Sequence, residues 1–194
     1  MEYLNGKFGE IIRTLEIFEI QASASIFAAA NLISETFENG GKLMTCGNGG
    51  SAADAQHFAA EFVNSFSKNL NRKALPAFSL TGDSSVTTAI ANDSNFSKIF
   101  SRQIEAHGKS EDLLVVFTTS GSSVNCIDAL LTAKRLKIKS ITFTQKNKVS
   151  SNLSDIVIEV PSTSTQIIQE CHIVAYHIIA GLVENFLFSE RYKK

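Results

Sequence analysis

The stretch Thr45-Cys46-Gly47-Asn48-Gly49-Gly50-Ser51-Ala52-Ala53-Asp54-Ala55-Gln56-His57-Phe58-Ala59-Ala60-Glu61 reads as strand, glycine loop and helix. Lys42 to Cys46 is a short apolar run suited to a buried strand. Gly47, Gly49 and Gly50 let the backbone turn sharply and approach a ligand closely. Ser51 to Phe66 is alanine-rich and predicts a helix. The free N–H groups and positive dipole end at such a helix start favour an anion, above all phosphate. His57 and Glu61 lie four residues apart and share a face of that helix. Taken alone, the loop is also an ordinary strand-to-helix turn, and the pair an ordinary solvated i,i+4 pair.

Outward from this stretch the chain alternates strands and helices. Residues 8 to 38 carry apolar side chains at three- and four-residue spacings and predict one or two amphipathic helices, ended by Gly40-Gly41. This N-terminal arm suits either another subunit or the body of its own chain. Leu75 to Leu80 is a second strand with Pro76 at its start. Ser84 to Ala91 and Asn95 to Ala106 are helices broken at Asn92-Asp93, Leu113 to Thr118 is the strongest strand, and Ser123 to Leu136 is helical. Ser140 to Thr144 and Ile156 to Val160 are short strands, and Thr165 to Phe188 is a long apolar helix. The expected fold class is α/β: a five-stranded, mostly parallel sheet, doubly wound and flavodoxin-like, covered by helices on both faces. Residues 1–194 are expected to form a single domain, with an arm over 1–40 and an α/β core over 41–194.

Composition narrows the function. The 194 residues are 44% hydrophobic and 19% charged, with a net charge of −1, so a globular chain is expected and a basic nucleic-acid footprint is not. Cys46, Cys126 and Cys171 have no C-x-x-C spacing and sit in apolar contexts, which suggests core thiols in a reducing cytoplasm. The polar opening Met1 to Asn5 is not expected to be a signal peptide, and no run long and apolar enough to span a membrane is expected.

A second loop, Thr118-Thr119-Ser120-Gly121-Ser122-Ser123, follows the strongest strand and opens a helix. Hydroxyls, a glycine and a helix start make an anion nest without any cationic residue of its own, or a plain serine-rich turn. Both loops stand at carboxyl ends of strands, where α/β sheets bind ligands. Asn92-Asp93 suits a polar orienter on the same edge or a helix-breaking turn. On the last helix, His172 and His177 are five apart and point to different faces, and Gln169 lies about 12 Å along the axis from His177. A lone core histidine in such a position is expected to be a satisfied one.

Together, Gly47 to Ser51 with His57 and Glu61, Asn92-Asp93, Thr119 to Gly121, and Gln169-Glu170 with His177 resemble the phosphoheptose isomerases, which are single sugar-isomerase (SIS) domains. The resemblance covers nearly the whole chain. It implies a cytoplasmic homotetramer with sites between subunits, acting on sedoheptulose 7-phosphate and binding neither nucleic acid nor membrane. It implies one zinc ion per subunit on His57, Glu61, Gln169 and His177, and an acid/base pair of Glu61 and His177. It further implies phosphate donors at Ser51, Thr118, Ser120 and Ser123, and sugar contacts at Asn48, Gly49, Gly50, Asn92, Asp93 and Thr119. Gln169 is also implied to touch the substrate. Thr118, Ser122 and Gln166 depart from the family's usual residues. A non-enzymatic paralogue, a tetramer that associates with a replication initiator, shares the glycine loop but is less alike at Glu61 and His177.

Overall fold

The computed structural model describes residues 1–189; the last residues of the expected domain, 190–194, lie outside the described residues. Five strands, β1 (Leu43–Gly47), β2 (Ala77–Ser79), β3 (Leu113–Thr118), β4 (Lys139–Gln145) and β5 (Ile156–Val160), form one sheet in the order β2-β1-β3-β4-β5. Every pairing is parallel, so the sheet is wholly rather than mostly parallel. The order 2-1-3-4-5 is the flavodoxin-like one, reversing between β1 and β3.

Strand alternation sorts the core into two layers. Leu113, Val115 and Phe117 of β3 face one layer, with Ile141, Phe143, Ile158 and Val160. Leu114 and Val116 face the other, with Met44 and Cys46. Three helices cover the first face: α1 (Glu2–Glu38), α2 (Gly50–Val63) and α6 (Thr165–Phe188). The second is covered by α4 (Ser101–His107) and α5 (Val124–Arg135), with Ile90 and Ala91 of α3 (Ser84–Asp93) packed against it. All three cysteines are buried thiols, as expected, and burial pushes Cys126 up to about 12 and Cys171 up to about 11.

Several elements differ from the sequence reading. The arm is one continuous helix of 37 residues. From Phe18 onward it covers its own chain's sheet through Ala22, Ile26, Ala29, Ala30 and Ile33. Its start leaves Tyr3, Leu4, Phe8 and Ile12 exposed. Asn92-Asp93 does not break a helix, because α3 (Ser84–Asp93) runs through Asp93. The break falls at Asn95, whose side chain accepts from the Ser97 N–H and starts a 3₁₀ turn, Phe96–Lys98, ahead of α4. No residue of α3 is buried.

The expectation about apolar runs needs correction too. By length and composition α1 and α6 are each apolar enough to cross a membrane, with windows of mean hydropathy 1.3 and 1.4. Alanine and isoleucine diluted by scattered polar residues hid these averages from a search for unbroken runs. In the fold the two helices pack on each other and on the sheet.

A buried ion pair closes the far end of α2. Arg72 Nε donates to Glu184 Oε1 at 2.7 Å, and its guanidinium also reaches the carbonyls of Glu61 and Phe62. Glu184 accepts from the N–H groups of Phe66 and Ser67 as well. Every charged atom is thus matched, the condition for a buried pair to be tolerated.

Candidate functional site

The glycine loop turns as the sequence requires. Gly49 has φ of +57°, a conformation that favours glycine. A Cβ on Gly50 would stand 2.5 Å from Nε2 of Gln169, so the missing side chain admits α6 at this point. Asn48 and Asn125 exchange amide hydrogen bonds at 2.8 and 2.9 Å, tying the first loop to the start of α5. Asn125 was not singled out in the sequence. Its only signal is a position in the first turn of the helix after the hydroxyl loop.

Three helix starts converge here. A cleft of about 250 Å³ is lined by Asn48 to Ser51, Phe117 to Thr119, Ser123, Thr165 and Gln169. These include the first residues of α2 and α6 and the residue that opens α5. None of the three helices has a side-chain hydrogen bond at its N-cap. The N–H groups of Ser51 and Ala52 are taken by the carbonyls of Asn48 and Gly49, and that of Cys126 by Ser123 and Asn125, so only the foremost N–H groups, such as those of Gly50, Val124 and Thr165, are left for a ligand. Among the described residues, no lysine or arginine lines the cleft. What it offers an anion is N–H groups, hydroxyls and three dipole ends. Thr118 Oγ1 accepts from Gly121 N at 3.2 Å and shapes the hydroxyl loop. Ser120 is exposed and does not line the cleft; its hydroxyl is 3.4 Å from that of Ser123, which does.

About 10 Å further along α2, by helix rise, stands a second cluster. His57 Nε2 is 2.8 Å from Glu61 Oε1. The His57 and His177 rings are 5.0 Å apart, and the ligand atoms of His57, Glu61 and His177 all lie within 4.8 Å of one another. Two imidazoles and a carboxylate are a donor set that suits zinc. His57 is exposed, while Glu61 and His177 are half-buried. The Tyr176 hydroxyl contacts His57 Nδ1 at 2.8 Å, and burial raises its pKa well above the phenol value. Asp54, also unremarked in the sequence, is buried one turn before His57, and burial raises its carboxyl to about 6 against the opposing effect of His57.

The structure therefore joins His57, Glu61 and His177 in one group, and Asn48 to Ser51, Thr118, Thr119, Ser123 and Gln169 in another. Gln169, grouped with the histidines by resemblance, stands against Gly50 at the cleft end. Asn92 and Asp93 join neither: they are exposed at the end of α3 and hydrogen-bonded to each other at 2.8 Å. His172 and His177 do face different ways. His172 is not a satisfied core histidine. It is wholly buried against Phe117 and Phe143, both ring nitrogens lack a hydrogen-bond partner, and burial lowers its pKa to about 3.

With this geometry in hand, comparisons with known proteins are consistent. A profile of the SIS domain matches residues 8–145. A phosphoheptose isomerase of Desulfovibrio desulfuricans is 45% identical over 177 residues, 91% of this chain and 83% of the relative. The structure of a phosphoheptose isomerase from Neisseria gonorrhoeae superposes with a TM-score of 0.89 at 36% identity, covering 95% of this chain and 98% of the other. One from Francisella tularensis gives 0.90 at 35% identity, covering 95% and 97%.

Proposed function

Because this chain belongs to the phosphoheptose isomerases, enzymes built on the SIS domain, we propose that it converts sedoheptulose 7-phosphate to D-glycero-D-manno-heptose 7-phosphate. The observation that carries this reading is the pairing of an uncapped, cation-free anion cleft with the His57–Glu61–His177 group about 10 Å away along two helices. That spacing suits an extended seven-carbon sugar with phosphate at one end and its carbonyl at the other.

In this reading the phosphate sits on the N–H groups that open α2, α5 and α6, with hydroxyl donors from Ser51, Thr118, Ser120 and Ser123. Glu61 removes the proton from the carbon beside the carbonyl and returns it to the neighbouring carbon. His177 handles the proton at the oxygen while the enediol forms. Asn48, Gly49, Gly50, Thr119 and Gln169 hold the sugar between them. His57, Glu61 and His177 would hold a zinc ion, with Gln169 joining them by turning its side chain away from Gly50; when bound the ion would supply a Lewis acid at the carbonyl or orient the substrate.

Residues 1–194 act as one domain, and four copies assemble with sites at the boundaries, where Asn92 and Asp93 take part. The exposed start of α1 and the unburied α3 support this assembly. The product would feed a cytoplasmic route to an activated heptose for lipopolysaccharide core or another surface glycan.

The test is incubation of the purified chain with sedoheptulose 7-phosphate, with and without zinc, with light scattering on the same sample. Formation of the aldose by a tetramer is the expected result. A tetramer without isomerase activity in either condition would overturn the enzyme reading in favour of a partner-binding role. A monomer that isomerises the sugar would overturn the shared sites.

A further inference from the structure

Tyr176 does not belong to the set of residues assigned above, yet it touches both histidines of the cluster. Its ring is wholly buried and wedged between Phe58 at 5.5 Å and Phe117 at 5.9 Å. Its edges meet His57 at 5.3 Å and His177 at 4.9 Å, and its hydroxyl lies 2.8 Å from His57 Nδ1. A ring clamped in the core holds its hydroxyl at a fixed point, while His57 itself is exposed and its other ring nitrogen faces Glu61.

The two hydrogen bonds of His57 set its tautomer. Glu61 Oε1 stands 2.8 Å from Nε2, and a carboxylate only accepts, so Nε2 carries a hydrogen when it faces Glu61. In a neutral ring Nδ1 is then bare and accepts from the Tyr176 hydroxyl. A metal ion on Nε2 requires the opposite tautomer, with the hydrogen on Nδ1. The same hydroxyl can rotate and accept that hydrogen, since a phenol is both donor and acceptor. A carboxylate or a carbonyl in its place would serve only the second state.

We infer that Tyr176 is a positioning residue for His57, a hydroxyl that serves both tautomers and lets His57 pass from its bond with Glu61 to ligation of a metal ion. The inference rests on the metal site proposed above. It concerns how that site is loaded rather than which residues ligate.

The experiment is titration of the metal-free full chain with zinc against a chromophoric chelator, for the parent, Tyr176→Phe and His57→Ala. Phenylalanine keeps the packed ring and removes only the hydroxyl. Loss of such a partner behind a metal ligand typically weakens metal binding about 10- to 100-fold, and that drop is expected for Tyr176→Phe. Affinity for inorganic phosphate, bound at the other cleft, is expected to stay at the parent value. Equal zinc affinity in parent and Tyr176→Phe, with zinc lost in His57→Ala, overturns the inference and leaves the metal site standing. Zinc binding undiminished in His57→Ala overturns both. A second measurement needs no variant of Tyr176. Nitrogen-15 spectra of the His57 imidazole, assigned by its absence in His57→Ala, should show hydrogen on Nε2 before zinc and on Nδ1 after it. Hydrogen on Nδ1 in the metal-free chain, or on Nε2 in the zinc-loaded one, counts against the inference even if Tyr176→Phe does not fold.

Discussion

The two ends of the crevice are built from different materials. The anion cleft consists of backbone N–H groups, hydroxyls and helix dipoles, and none of its lining residues changes charge near neutral pH. The cluster below consists of two imidazoles, a carboxylate and a phenol. Fixed dipoles suit a group that must be held unchanged from substrate to product. Ionisable side chains suit the end where protons move. α2 and α6 contribute to both ends, so two kinds of chemistry are kept at a set distance by the same rigid elements.

The sharpest way to break this division is at Glu61 and His177. Glu61→Gln and His177→Gln are each expected to lower turnover at least about a hundredfold, while phosphate affinity stays near the parent value. Steady-state kinetics beside inorganic-phosphate binding, with bound zinc assayed and restored in each variant, checks this. Near-parent turnover in both folded variants would remove them from the proton-transfer roles.

Ser120→Ala probes the other end. A lost hydrogen bond to a charged group costs about 1.5–3 kcal/mol, so affinity for substrate and for inorganic phosphate should fall roughly tenfold to a hundredfold. Turnover at saturation should change little. Unchanged affinities would make the hydroxyl loop a turn and no more.

The smallest functional effect is expected at His172, which shares α6 with both ends but faces the sheet. His172→Phe should leave turnover and phosphate affinity alone and alter only acid stability. The buried ring resists protonation until about pH 3, whereas the unfolded chain takes up that proton near 6.5. The folded state of the parent therefore loses stability as pH falls from about 6.5 toward 3, by about 2 kcal/mol at pH 5 from this group alone. Urea unfolding at pH 7 and pH 5 should show a smaller drop for the variant than for the parent.

Much of this arrangement was legible beforehand, for identifiable reasons. Leu113 to Thr118 is buried on both faces and so reads as an unbroken apolar strand. His57 and Glu61 could be paired from helical spacing alone. Other features left no trace in the pattern. The start of α5 follows a serine-rich turn that suits a cap, but Ser123 makes no capping bond, and neither does Ser164 ahead of α6. Tyr176 sits beside His177 in an apolar run, and its hydroxyl matters only because α2 packs alongside. The 3₁₀ turn after α3 depends on one Asn95 side chain, which periodicity does not register.

The parallel run of α2 and α6 is fastened at three heights: Gln169 over Gly50, Tyr176 on His57, and Glu184 with Arg72 at the end of the run. Arg72 also reaches the carbonyls of Glu61 and Phe62, so the buried pair ties both helices at that height. In the language of native-state fluctuations, ties at three heights favour opening of α2 and α6 together over opening of either alone. The His57–Glu61–His177 cluster lies between the first and last of these ties, so its distance from the glycine loop is set by the same two helices.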